Sequence, residues 1–361
     1  MPASKYEHLR GVFQGLAAAA LFGLSAPSAK VLVGQIPPLM LAGLLYAGSG
    51  IGLFAWMLIR RAVGKPSTEA ALVRRDLPWL AGAVGVGGVA APVLLMIGLA
   101  STAASTSSLM LNLEAVLTAV IAWVIFRENF DRRIAWGMVA IVAGGVLLAW
   151  QPRAGTAFPW GTLAIAGACL CWGIDNNLTR SVSGGDPVQI AAIKGGVSGV
   201  INVSAALLLG YRFPGVLPLF SAGVVGFLGY GLSLVLFVLA LRRLGTARTG
   251  AYFSTAPFVG AGVSLLLFAE HPSELFWIAG VLMAVGVWLH ITERHEHEHA
   301  HEAMTHNHRH VHDAHHQHVH DFPWDGQEPH VHPHKHEPLI HMHPHYPDLH
   351  HRHAHDHSAG R

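Results

Sequence analysis

One carboxylate in the middle of a long apolar run is the residue of this sequence best placed to do chemistry. Glu114 lies about halfway along Ala104–Phe126, and Asn112 precedes it by two positions. A charged carboxylate at the centre of a membrane helix costs about 2.5 to 3.5 kcal/mol on insertion scales, so the fold must compensate it. Two explanations are open: Glu114 faces a central cavity and binds a proton or a cationic substrate group, or it hydrogen bonds to Asn112 or to a neighbouring helix.

Other polar side chains occur at depths where a cavity would lie. Asp175 and Asn176 come near the end of the sixth apolar run, and Lys194 lies in the seventh. Lys194 either extends its ammonium group to the aqueous interface or pairs with Asp175. Buried hydroxyl and amide groups also join neighbouring helices, so each residue alone has an ordinary structural explanation. The candidate site for substrate or proton comprises Glu114, Asn112, Asp175, Asn176, Lys194, Tyr230 and Tyr252.

A second group of chemically capable residues lies in residues 293–361, which hold 24 of the 27 histidines. Imidazole is a good ligand for Zn, Cu and Ni ions. In an extended chain, a His-x-His pattern places alternate rings on one side, where several can bind a single ion. The predicted metal ligands are His295, His297, His299, His301, His306, His308, His310, His312, His315, His316, His318 and His320.

The same histidine-rich tail has other possible roles. Histidines titrate near pH 6.5, so acidification would charge the tail and allow it to bind anionic lipid headgroups. Few aliphatic residues are present, so we expect the tail (residues 292–361) to be disordered without a ligand. Nucleic-acid binding is not expected, because the tail is not strongly basic at pH 7 and has few aromatic residues.

The elements that must position these residues are membrane-spanning helices. The chain is 52% apolar and 12% charged, whereas about a quarter of a soluble domain is charged. Its apolar runs have the length that crosses a bilayer and lack the alternation of a barrel strand. We expect ten spanning helices: Gly11–Val33, Pro38–Leu58, Leu77–Leu99, Ala104–Phe126, Ile134–Trp150, Trp160–Leu178, Val188–Leu209, Phe220–Leu241, Thr249–Ala269 and Leu275–Ile291.

An internal repeat relates the two halves of the chain. At an offset of 142 positions, Glu270 aligns with Glu128, and at an offset of 150, Arg180 aligns with Lys30. Each unit has five spans, an odd number, so the second unit enters the membrane from the opposite side. The prediction is an all-α polytopic membrane protein with two inverted five-helix repeats, residues 11–150 and 160–291.

Basic residues predict the orientation, because Lys and Arg near span ends are retained on the cytoplasmic side. With residues 1–10 in the cytoplasm, fourteen basic residues of the short segments before the tail lie inside. Only Lys30, Arg153 and Arg212 lie on the other side. We therefore expect an integral membrane protein with both termini in the cytoplasm.

Two motifs occur at matching places in the two units. The first is Leu113-Glu114-Ala115-Val116-Leu117-Thr118-Ala119, which runs on to Arg127-Glu128. The second is Ala256-Pro257-Phe258 followed by Ala269-Glu270. Both motifs resemble the EamA family of the drug/metabolite transporter superfamily. The resemblance implies an integral inner-membrane carrier with ten helices that exports small metabolites. The family often has proline directly after the first glutamate, where this chain has Ala115, so we expect a straighter fourth helix.

The leading hypothesis is a secondary transporter that exports a small metabolite by alternating access and carries a regulatory, metal-binding tail. The alternative is a divalent transition-metal exporter (Ni, Co or Zn) whose tail captures the cargo. An enzyme is not expected, because the spans contain no zinc-protease helix motif, nucleophile elbow or phosphate loop. No cofactor is required, although the tail could hold Zn, Ni or Co. The bilayer is the expected partner besides the substrate, and the oligomeric state is open.

Overall fold

The computed structural model describes residues 2–64, 72–126, 132–150, 159–182, 185–244, 246–291, 296–301, 304–310, 330–336 and 339–344. Within these ranges the membrane region is helical. Its α-helices are α1 (Pro2–Val33), α2 (Pro38–Ala62), α3 (Leu77–Ala83), α4 (Ala91–Ser101), α5 (Ala104–Met110), α6 (Leu113–Phe126), α7 (Arg132–Ala149), α8 (Trp160–Arg180), α9 (Pro187–Leu208), α10 (Val216–Gly226), α11 (Ser233–Leu244), α12 (Thr246–Phe253), α13 (Ala256–Leu267) and α14 (Glu274–Ile291).

Two π-helical stretches join helices into longer rods. Val84–Ala90 connects α3 to α4, and Phe227–Leu232 connects α10 to α11. The first stretch contains three glycines and the second contains two, and glycine lowers the steric cost of the widened turn. A π-helical turn also redirects backbone carbonyls, and such turns are frequent at functional sites.

Seven helical segments of the described chain are long and apolar enough to cross a membrane. They are Leu9–Val33, Pro38–Ala62, Arg74–Ser101, Ala104–Ile125, Arg132–Ala149, Pro187–Leu208 and Val216–Ala240. Ala256–Leu267 and Glu274–His290 are shorter apolar helices, and α8 has 21 residues but carries Asp175, Asn176 and Asn177. The molecule is therefore a helical integral membrane protein, and the number of ten spans stays a prediction.

Helix bounds in the two halves of the chain correspond closely. Helix α5 begins at Ala104, and α12 begins at Thr246, 142 positions later. The same offset relates both ends of α7 to both ends of α14. A helix break after α5 and a π-helical stretch before α4 also have counterparts in the second half, after α12 and before α11.

The two halves (α1–α7 and α8–α14) pack on each other through corresponding helices. Helix α1 packs on α11 and α13 of the second half, and α8 packs on α4 and α6 of the first. Helix α2 packs on α9, and α7 packs on α14. At the α2–α9 crossing a Cβ atom on Gly195 would lie 2.7 Å from the Gly50 nitrogen, so glycine permits this close approach.

Local signals explain several helix starts. Pro38 and Pro187 occupy first-turn positions, where the missing N–H costs nothing. Asp186 caps α9, because its Oδ1 accepts hydrogen bonds from the backbone N–H of Val188 at 2.9 Å and of Gln189 at 3.4 Å. Large apolar side chains such as Ile51 and Leu266 are exposed, as expected for a surface that faces lipid.

The structure describes four strands in the tail, and the disorder expected for residues 292–361 as a whole stays a prediction. They are β1 (Glu296–His301), β2 (Met304–His310), β3 (His330–His336) and β4 (Leu339–Pro344). Strand β1 pairs with β4 and β2 with β3, both antiparallel. The His-x-His alternation has the two-residue period of a strand, and antiparallel pairing satisfies the backbone polar groups.

Candidate functional site

A helix break places Glu114 in the first turn of α6 instead of the middle of a continuous helix. Residues Leu111 and Asn112 separate α5 from α6. The Asn112 side chain donates to the Leu109 carbonyl at 2.9 Å and closes this turn. The expected straighter helix is wrong: a break forms here although Ala115 replaces the usual proline, because Asn112 stabilises the turn from its own side chain.

Glu114 hydrogen bonds across the two halves of the molecule. The Asn176 amide of α8 donates to Glu114 Oε1 at 2.9 Å and lies 3.2 Å from Thr118 Oγ1. Thr118 in turn donates to the Glu114 backbone carbonyl at 2.8 Å. Glu114 is half-buried, and the charges of Asp175 and Lys194 act on it. The predicted bond to a neighbouring helix is present, with Asn176 as the partner, while Asn112 bonds to α5.

Asp175 and Lys194 form an ion pair between α8 and α9. Lys194 Nζ lies 2.6 Å from Asp175 Oδ1 and 2.8 Å from Oδ2. The Lys194 side chain is 16% exposed and the Asp175 side chain is 7% exposed. Thr179 donates to Asp175 Oδ1 at 2.9 Å, which satisfies a further lone pair of the carboxylate. Of the two alternatives for Lys194, the structure therefore has pairing with Asp175.

The π-helical stretch Val84–Ala90 forms one wall of this charged site. The Tyr46 hydroxyl donates to the Gly87 carbonyl at 3.0 Å, and the Trp172 indole N–H donates to the same oxygen at 3.1 Å. A Cβ atom on Gly87 would overlap the Asp175 carboxylate. Glycine is thus required where the backbone approaches Asp175. Sequence reasoning did not assign roles to Trp172 or Gly87, and the glycine-rich run was the available signal.

The two predicted tyrosines lie in different places. The Tyr230 ring is 5.5 Å from the Tyr46 ring and 6.1 Å from the Phe22 ring, and the charge of Glu114 reaches it. Tyr230 therefore lies beside Tyr46, whose hydroxyl contacts the π-helical stretch Val84–Ala90. Tyr252 of α12 instead lies against α1, where a Cβ on Gly15 would be 3.3 Å from the Tyr252 Cβ.

The predicted metal ligands are only partly within the described chain. His297, His299 and His301 lie on β1, and His306, His308 and His310 lie on β2. The register pairs the β2 histidines with His334, His332 and His330 of β3. The other six ligands lie outside the described residues: His295, His312, His315, His316, His318 and His320.

A resident metal site in the membrane region has no support from geometry. Among the residues whose side chains the structure describes, no three His, Cys, Asp or Glu side chains cluster closely enough to hold an ion. Glu114 and Asp175 instead have amide, hydroxyl and ammonium partners. Such partners suit proton exchange or the binding of an organic cation.

Most of the chain is similar in sequence to known proteins. The model of the EamA-like transporter family matches residues 9–150 and 159–292. An uncharacterized transporter of Methanothermobacter thermautotrophicus is 28% identical over 297 residues, which covers 78% of this chain and 86% of that protein. The uncharacterized inner membrane transporter YedA of Escherichia coli K12 is 23% identical over 266 residues, 70% of this chain and 82% of YedA.

The fold also resembles a solved crystal structure. The TM-score is 0.58 at 18% sequence identity, and the match covers 77% of this chain and 95% of the other. At this identity the likeness concerns the fold alone. The two matched units of the family model begin and end within two residues of the predicted repeats, 11–150 and 160–291.

Proposed function

The chain belongs to the EamA-like transporter family, and from this premise we propose that it is a secondary transporter that exports a small metabolite by alternating access. The main support for this proposal is that Glu114 of one half accepts a hydrogen bond from Asn176 of the other half. A site built from both halves changes its geometry when one half rocks against the other. We therefore assign the half-buried carboxylate of Glu114 a role in transport.

The proposed architecture is ten spanning helices in two inverted five-helix repeats. The matching helix bounds at an offset of 142 positions support the repeat, as does the exchange of contacts by α1 and α8. An odd number of spans per unit requires the inversion. The excess of basic residues on one side supports cytoplasmic placement of both termini in an inner membrane.

In this mechanism Glu114 binds the proton or the cationic group of the substrate. Asn176 donates a hydrogen bond to Glu114 Oε1 and so orients the carboxylate. The nearby Asp175–Lys194 pair is charge-balanced and supplies a polar wall without a net charge of its own. The aromatic rings of Tyr46, Trp172 and Tyr230 provide apolar area beside the carboxylate, which suits an organic solute.

The histidine-rich tail is proposed to bind Zn, Ni or Co and to regulate transport. Support comes from the 24 histidines and from the register of β2 and β3, which places three histidine pairs opposite each other. In the alternative, the tail delivers a metal ion as cargo. The ligand chemistry of the membrane region favours the regulatory role, because Glu114 is bonded to an amide and, among the described residues, no three His, Cys, Asp or Glu side chains cluster to hold an ion.

Cellular metal content separates the two roles of the tail. Cells would express the full chain, the chain ending at Ile291, or Glu114→Gln, and be challenged with Ni, Co or Zn. For a metabolite exporter we expect metal content with the full chain to be no lower than with either variant or with an empty control. Lower metal with the full chain, lost in both variants, would instead establish the metal exporter.

A further inference from the structure

A lysine at the end of α1 binds backbone groups at the end of α4. Lys30 Nζ donates to the Leu99 carbonyl and, at 2.8 Å, to the Thr102 carbonyl. These carbonyls belong to the last turn of α4 and to the residue that follows it. Carbonyl oxygens at a helix end have no intrahelical donor, so a lysine there satisfies them and carries the favourable charge.

A glutamate from the second half binds the other side of the same connection. Glu270 Oε1 accepts from the Ala104 N–H at 2.8 Å, and Oε2 accepts from the Ser105 N–H at 3.1 Å. The Ser105 hydroxyl also donates to Oε2. Lys30 and Glu270 attract each other electrostatically. Two opposite charges from different halves therefore hold the α4–α5 connection from both of its ends.

The residue before Glu270 has a strained backbone conformation. Ala269 has φ 47°, the one positive φ of a non-glycine residue in the described chain. A residue with a Cβ atom stays in the left-handed region only where surrounding contacts hold it. The contacts that hold it are on the next residue, since Glu270 makes three hydrogen bonds to α5.

The same end of the bundle is closed by a third helix. At the start of α8, a Cβ atom on Gly161 would overlap the hydroxyls of Ser101 and Thr102. Thr102 is buried in this contact. The α4–α5 connection is thus enclosed by the ends of α1, α8 and α13, and helix α5 leads from it to the break before Glu114.

We propose that Lys30 and Glu270 form a latch that closes this end of the bundle and releases when the transport site opens towards it. Under the proposed function and orientation, this is the outer end. The latch acts on backbone groups at one end of α5, a helix of seven residues, and Glu114 follows the break at its other end. Movement of α5 therefore couples the latch to the carboxylate.

The partners of the latch fix the sign of each charge. Lys30 binds carbonyl oxygens, and Glu270 binds N–H groups, so neither charge can be replaced by its opposite. A salt bridge between two side chains would survive an exchange of the two residues. If the latch forms as proposed, the double variant Lys30→Glu/Glu270→Lys does not close this end of the bundle, and neither do the single variants.

Cysteine labelling tests the latch directly. Ser108 of α5 is 1% exposed and faces α13, where a Cβ on Gly260 would be 2.9 Å from Ser108 Oγ. A Ser108→Cys reporter would be placed in a chain with Cys169→Ala and Cys171→Ala. Intact cells are then treated with a membrane-impermeant maleimide. We expect Glu270→Gln to raise the labelling rate roughly tenfold, because losing a charge-assisted hydrogen bond shifts the equilibrium by about that factor.

Glu274→Gln is the matched control, because Glu274 is an exposed carboxylate four positions further on, in the first turn of α14. Unchanged labelling in Glu270→Gln, or an equal rise in Glu274→Gln, overturns the latch. Rescue of low labelling by the exchanged pair overturns it as well, in favour of a simple salt bridge. If labelling rises only in inverted vesicles, the latch is supported and the proposed orientation of the protein in the membrane is contradicted. The readout needs no substrate, so it stands apart from any failure of the export assay.

Discussion

At the scale of single residues, the site depends on glycine as much as on its charged groups. Gly87 lets the backbone of the π-helical stretch touch the Asp175 carboxylate. We expect Gly87→Ala to destabilise the protein by about 1 to 3 kcal/mol, as overpacking of a tight contact does. Gly85→Ala is the control, because no atom lies within 4 Å of a Cβ placed there. Thermal unfolding in detergent would measure both, and equal melting temperatures would show that the Gly87 contact is unimportant.

A second residue-scale prediction concerns the ion pair. Replacing Asp175 with asparagine leaves the Lys194 ammonium largely buried without its counter-charge, which costs about 3 to 5 kcal/mol. The double variant Asp175→Asn/Lys194→Met should recover much of this loss, since no unpaired charge remains. Unfolding measurements on the two variants test this. A double variant less stable than the single one would mean that the pair stabilises the fold beyond mutual neutralisation.

Sequence reasoning reached this scale unevenly. Pairing of Asp175 with Lys194 was one of two alternatives, and the cost of an unpaired buried charge favours it. The roles of Lys30 and Glu270 were out of reach, because their partners are backbone atoms 69 and 166 positions away. Backbone groups at helix ends have no residue-type signature, so sequence alone does not reveal which side chain satisfies them.

At the scale of elements, the ends of α4, α5 and α13 are the informative parts. Ala269, which follows α13, has a left-handed backbone conformation, and the next residue, Glu270, hydrogen bonds to α5. We expect Ala269→Gly to keep the latch closed, since glycine adopts positive φ without cost. Ala269→Val should raise Ser108→Cys labelling, because a β-branched residue resists this conformation. Equal labelling in the two variants would show that the strained residue does not hold Glu270.

Some helix boundaries could be predicted from the sequence and others could not. Helix starts at Pro38 and Trp160 agree with the structure, since proline, tryptophan and hydropathy give strong local signals. The break at Leu111–Asn112 was missed because the expected signal was a proline at position 115. The π-helical stretches were also unforeseen, since a glycine-rich apolar run reads equally well as a regular helix.

At the scale of the whole molecule, the repeat extends the latch to the other half. Offsets of 150 and 142 positions align Lys30 with Arg180 and Glu270 with Glu128, so charge type is kept at both positions. Glu128 lies outside the described residues. From the repeat we expect Glu128→Gln to lower Ser108→Cys labelling from outside in a Glu270→Gln background. A further rise in that double variant would contradict a second, opposing latch.

The central claim is export through a site that contains Glu114, and the solutes released by cells test it most directly. Media from cells that express the full chain, Glu114→Gln or Glu274→Gln at matched protein levels would be compared by untargeted mass spectrometry. We predict that at least one small metabolite accumulates with the full chain and with Glu274→Gln, but not with Glu114→Gln. Media indistinguishable from an empty control, or equal accumulation with Glu114→Gln, would contradict the account.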